Sequence, residues 1–147
     1  MKNYFKLFTF SLALIGAMAL TSCGKYKKYN NNEVIDNTYT GSVQIGSTGA
    51  DPGGDFTGNG DSGEYSFAWV NSSKKANANF DITTPTGSVQ MVIYDAKGNI
   101  VLDETRSAGG NDTFSGVTQE GKKGTWKVSL IFTNFNGDGS FSISPGS

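Results

Sequence analysis

Thr125–Thr133 (TWKVSLIFT) decides the fold: Trp126, Val128, Leu130 and Phe132 take one face, and Lys127, Ser129 and Thr133 take the other. Side chains alternate between faces along an extended chain, so this period of two predicts a strand with one buried side. The same alternation recurs upstream. Ser42–Ile45 puts Val43 and Ile45 together, Glu64–Asn71 aligns Tyr65, Phe67 and Trp69, and Asn77–Thr83 aligns Ala78, Phe80 and Ile82. Ser88–Tyr94 is apolar on both faces, which predicts a central strand covered on both sides. Asp95-Ala96-Lys97-Gly98-Asn99 reads as a tight turn, after which Ile100–Glu104 returns and Asp112–Val117 adds a short strand around Phe114. Asn136-Gly137-Asp138-Gly139 tolerates positive φ and predicts a hairpin turn before Phe141 and Ile143. No window from Tyr39 onward supports a long helix. The expectation is an all-β fold, an antiparallel β-sandwich or jelly roll of about eight strands.

Composition narrows the chemistry. The 147 residues contain no histidine and one cysteine. A histidine-dependent triad, a histidine-ligated metal, an intrachain disulfide and a thiolate cluster are therefore excluded. With 36% hydrophobic and 12% aromatic residues, one domain can pack a core.

The N-terminus reads as a targeting segment. Met1–Lys6 is short and basic, and Leu7–Leu20 is uncharged but shorter than the roughly 20 residues a membrane-crossing helix needs. Leu20-Thr21-Ser22-Cys23 follows, and it resembles the lipobox of bacterial lipoproteins. That resemblance implies cleavage before Cys23 and acylation of its thiol, hence a membrane partner. It also implies a cell-envelope location: Gly24 rather than Asp after the cysteine does not signal inner-membrane retention, and Lys25, Lys27 and Lys28 stand where a surface-export signal would be acidic, so an outer-membrane, periplasm-facing position is preferred. The expected organisation is a signal peptide over 1–22, a polar tether over 23–36 and a β-sandwich over 37–147. Removing 1–22 leaves ten basic against thirteen acidic residues, a balance that argues against a nucleic-acid partner.

Residues 64–144 resemble the pre-peptidase C-terminal domain. The matching pieces are Glu64-Tyr65-Ser66-Phe67, Val89–Tyr94, Asp95-Ala96-Lys97-Gly98 and Gly124-Thr125-Trp126-Lys127-Val128, with the final strand entry at Gly137–Ile143. The resemblance implies an accessory module that binds, spaces or stabilises.

Four constellations bear on chemistry. Gly46–Gly63 reads as a glycine-rich loop, with Asp51, Asp55, Asp61 and then Glu64 as candidate calcium ligands; the alternative is a solvated loop whose Asp and Gly favour turns. Asn134–Gly139 mimics half of an EF-hand, but its twelfth position falls on Pro145, so a turn is preferred. Trp69 and Trp126 share faces with large apolar residues and are expected in the core, leaving Tyr39, Phe56 and Tyr94 as candidates for stacking on sugar rings. Asp103 and Glu104 are adjacent on a strand and point to opposite faces, so they cannot be a glycosidase pair. The reading is a non-enzymatic envelope module that binds a glycan or protein. The alternatives are a small carboxylate-dependent glycan hydrolase and a structural protein that assembles through sheet edges.

Overall fold

The computed structural model describes residues 33–48, 51–109 and 112–147. The signal peptide, the lipobox with Cys23 and most of the expected tether lie outside the described residues. Seven strands follow in order: β1 (Val34–Asn37), β2 (Ser42–Thr48), β3 (Asp51–Asn71), β4 (Lys75–Tyr94), β5 (Ile100–Ser107), β6 (Thr113–Val117) and β7 (Gly124–Gly146). The described residues contain no helix. β1 begins at Val34, so the sheet takes in three residues expected in the tether.

Every pairing is antiparallel. The three long strands β3, β4 and β7 each run through two layers. In one layer the order is β2, the first half of β3, the second half of β7, the first half of β4, then β6. In the other it is β1, the second half of β3, the first half of β7, the second half of β4, then β5. β7 is therefore the middle strand of both layers. The crossing points are register breaks at Asn59–Gly63 in β3 and Thr83–Ser88 in β4, opposite Phe132–Asn136 of β7.

Those breaks explain where the strand boundaries expected from sequence differ. Within Gly46–Gly63, residues 46–48 end β2 and 51–63 form the first half of β3, where a loop is expected. Asn136–Gly139 continues β7 rather than reversing the chain. Residues suited to turns are here used to bend a continuous strand, which is how bulges work. Gly87 has φ of +88°, and a Cβ there would lie 2.2 Å from the Asn134 carbonyl oxygen. Gly137 would put a Cβ 2.1 Å from the Thr83 oxygen. Only glycine permits both the twist and the approach.

Folding the strands back brings the inward faces together. Phe67 of one layer meets Phe141 of the other at 5.7 Å between ring centroids, and Phe56 meets Phe132 at 5.3 Å. Trp69 and Trp126 are fully buried edge to face at 5.9 Å, as their alternation predicts. The Trp126 indole donates to the Lys122 carbonyl at 2.7 Å. Ser88–Tyr94 sits inside its layer, with Val89, Met91 and Ile93 buried inward and Val92 buried on the outer side. The Asp95–Asn99 turn forms as expected: the Asp95 carboxylate accepts from the Lys97, Asn99 and Lys122 backbone N–H groups. Those bonds, Lys122 first, hold its pKa well below the usual carboxylate range.

Candidate functional site

Each layer ends in an edge strand on both flanks. On one flank the edges are β1 and β2, joined by a crossing segment, Thr38–Gly41. Tyr39 from that segment turns into the gap between the layers. Its ring stacks on Phe132 at 3.8 Å, and its hydroxyl donates to the Thr57 carbonyl at 2.9 Å. Burial, and secondarily the Asp61 charge, push its hydroxyl up to about 12. Tyr39 is thus core, not an exposed stacking residue. Phe56 is also core, packed against Phe132 and Phe135 with 1% exposure. Both corrections have one cause: what reads as a loop is the inner face of a bent strand or the segment that seals it.

On the opposite flank the edges are β5 and β6, and the gap between them stays open. It forms a cleft of about 390 Å³ lined by Ile100, Leu102, Asp103, Glu104, Phe114, Gly116, Val117 and Gln119. β5 supplies one wall because Leu102 and Glu104 pair with the inward residues Ile93 and Met91. β6 supplies the other through Phe114, the partner of buried Phe80. Gly116 lets the Phe114 ring lie along the strand, since a Cβ there would meet the ring at 2.7 Å. Ile100 and Val117 stand on the rim at 54% and 55% exposure. Gln119 is held beside β5 by its backbone N–H, which donates to the Val101 carbonyl at 2.9 Å.

Arg106 closes the upper part of this flank. Its guanidinium sits 5.2 Å from the Phe114 centroid and 5.9 Å from that of Phe80. It donates to the Thr113 carbonyl at 3.1 Å and contacts Glu104 at 3.4 Å. Glu104 is thereby fixed at the cleft wall. The cleft offers an aromatic ring, aliphatic rims, a carboxylate and a carboxamide. That set suits a sugar, whose C–H face is apolar and whose hydroxyls donate and accept.

The four candidate calcium ligands are not brought together. Asp51 is exposed at the start of β3. Asp55 lies on the outer face of its layer, where Asp81 and Asp138 line the same shallow hollow. Asp61 sits at the bend, accepting from the Thr40 hydroxyl and the Asn59 N–H, both at 2.6 Å. Those bonds lower its pKa, the Asn59 N–H most. Glu64 lies on the outer face of the other layer, accepting from Ser66, Ser129 and Lys127. Among the described residues no three His, Cys, Asp or Glu side chains converge in a way that could hold a metal. The physical reason is again the strand: the fourteen residues of β3 from Asp51 to Glu64 spread ligands that a loop would gather. Tyr94, the third stacking candidate, is half-buried on an outer face with the Lys127 ammonium 5.5 Å from its centroid.

Sequence reasoning singled out none of Phe114, Gly116 or Gln119 as binding residues. The usable signal was the exposed apolar Ile100 and Val117 flanking a short strand that carries one aromatic residue.

No family model matches the chain, and no curated protein matches it. Among solved structures it is similar to TmCBM61 in complex with β-1,4-galactotriose: 14% identity, TM-score 0.48, covering 74% of this chain and 87% of that one. A CBM4 protein is similar at 10% identity and TM-score 0.44, covering 74% and 79%. The C-terminal CBM6 of the marine laminarinase LamC from Zobellia galactanivorans is similar at 17% identity and TM-score 0.39, covering 73% and 93%.

Proposed function

We propose that the protein is a non-enzymatic module of a bacterial cell envelope, held on a membrane by acylated Cys23, that binds a glycan in the β5–β6 cleft. The open flank carries this reading: a fixed aromatic ring, two aliphatic rims and an oriented carboxylate converge where no described residue plugs the gap between layers. Phe114 supplies the stacking surface, Glu104 accepts from sugar hydroxyls, and Gln119 donates and accepts. A periplasm-facing outer-membrane location is part of the same proposal, as is glycan rather than protein as the partner.

The test is a glycan array on residues 24–147, followed by titration of any bound glycan with the wild type, Phe114→Ala and Glu104→Gln. A hydrogen bond to a charged group is worth about 1.5–3 kcal/mol, so Glu104→Gln weakens binding by about tenfold or more. An array without binders, or binding untouched by either substitution, overturns the cleft reading. Acyl labelling of the full chain, lost in Cys23→Ser, tests the anchor separately.

A second reading has its own observation. Edge strand β1 exposes Val34 at 46% and Ile35 at 40%, which suits assembly through a sheet edge. Sedimentation over a hundredfold range of concentration decides it, since assembly raises the mass and binding alone does not.

A further inference from the structure

One end of the sandwich gathers most of the domain's positive charge. β3 ends, β7 begins and β4 turns into β5 at this end, and three segments meet there: Ser72–Lys74, Asp95–Asn99 and Thr118–Lys123. They are tied together by the Gly121 N–H donating to the Lys74 carbonyl at 2.7 Å and the Lys122 N–H donating to Asp95 at 2.8 Å. Of the seven basic residues in 33–147, five (Lys74, Lys75, Lys97, Lys122 and Lys123) sit on or beside these segments. Glu33 and Asp51 also stand exposed at this end of the sheets, and two further acids lie within the patch itself. Asp95 is turned into its own turn, and Glu120 lies 3.9 Å from Lys75. Apart from these residues, 33–147 carries two basic residues, Arg106 and Lys127, against nine acidic ones.

The chain enters the fold at this same end. The Ala68 N–H donates to the Glu33 carbonyl at 2.9 Å, three residues before β3 finishes. In the sequence, Lys25, Lys27 and Lys28 lie within five residues of Cys23, outside the described residues. A hollow of about 250 Å³ lies between Lys74, Lys75 and Lys123, also bordered by Ser73, Glu120 and Ser147.

We propose that this lysine end is a docking surface for the phosphate-bearing headgroups of an anionic membrane. It seats the domain end-on, with the β5–β6 cleft on its flank and the acidic bend end pointing away. The inference rests on the lipid-anchored reading for its setting. The charge pattern supplies the rest: a lysine near an anionic bilayer gains about fivefold in partition, and the acidic remainder is repelled from the same surface. An anchor at Cys23 keeps the patch at high effective concentration, so modest attraction suffices to fix orientation.

The test is vesicle flotation of unlipidated residues 24–147; all seven strands and the described core lie within 33–147, so this segment holds the complete fold. Vesicles are phosphatidylcholine alone or phosphatidylcholine with about a third phosphatidylglycerol, at low salt. The expected result is binding to the anionic vesicles only, released by 0.5 M salt. Lys74→Gln/Lys122→Gln/Lys123→Gln lowers partition about a hundredfold, whereas Lys127→Gln, on an outer face, leaves it unchanged. Circular dichroism confirms that each variant is folded. Equal flotation with both vesicle types, or a triple variant that floats like the wild type, overturns the proposal. Because the segment carries no acyl chain, this outcome is independent of whether Cys23 is lipidated.

Discussion

The two flanks of the sandwich are built alike and finished differently. Both pair the edge strands of two layers. On the β1–β2 flank the crossing segment drops Tyr39 into the gap, stacked and hydrogen-bonded. On the β5–β6 flank, among the described residues, Arg106 caps the upper part of the gap and the rest stays open. One inserted aromatic separates a wall of the core from an open cleft, and the proposed recognition sits on the flank without that aromatic.

Removing the plug is expected to have the largest effect. Tyr39→Ala deletes a buried aromatic and its hydrogen bond, and should lower unfolding free energy by about 3–5 kcal/mol in a urea titration. Phe114→Ala should cost about 1–2 kcal/mol, because the ring is only half-buried, yet remove glycan binding. If the two variants destabilise equally, the flanks are not different in kind. Gly116→Ala is a finer probe: its methyl displaces the Phe114 ring, so binding should weaken several-fold while stability moves little.

Alkaline titration sharpens the same contrast. The Tyr39 hydroxyl ionises near 12 in the folded protein and near 10 when unfolded. The folded state therefore holds its proton more tightly. The resulting stability is intact below pH 10 and disappears as pH rises toward 12. Unfolding midpoints measured from pH 9 to 12 should fall, and Tyr39→Phe should flatten the fall. The smallest effect is expected from calcium. Asp51, Asp55, Asp61 and Glu64 face different surroundings, so a millimolar addition should leave the melting temperature unchanged. A rise that Asp55→Asn removes would contradict this.

Much of the fold is legible in the chain. Alternation places Trp69, Trp126, Val128, Leu130 and Phe132 inside, and the doubly apolar Val89–Tyr94 marks an interior strand. The Asp95–Asn99 turn follows from local chemistry alone. What is not legible is the use of Gly63, Gly87 and Gly137. Locally, a glycine that ends a strand and one that bends it look the same. The distinction depends on whether a distant strand follows the same curve, as β7 does beside β3 and β4. The calcium expectation and the exposure of Phe56 and Tyr39 went astray at that point. The candidate cleft is hidden for a related reason: β5, β6 and the segment before β7 contribute to it, and their adjacency is tertiary.

The central position of β7 also has a consequence in time. It separates β3 from β4 in both layers, so Gly53 waits for Ser142 and Lys75 waits for Gly146. A chain emerging from its N-terminus can form the β2–β3 and β4–β5 hairpins early, but neither layer closes until the last strand is delivered. Such long-range pairing folds slowly. A chain delivered from its N-terminus therefore stays unlocked until β7 arrives.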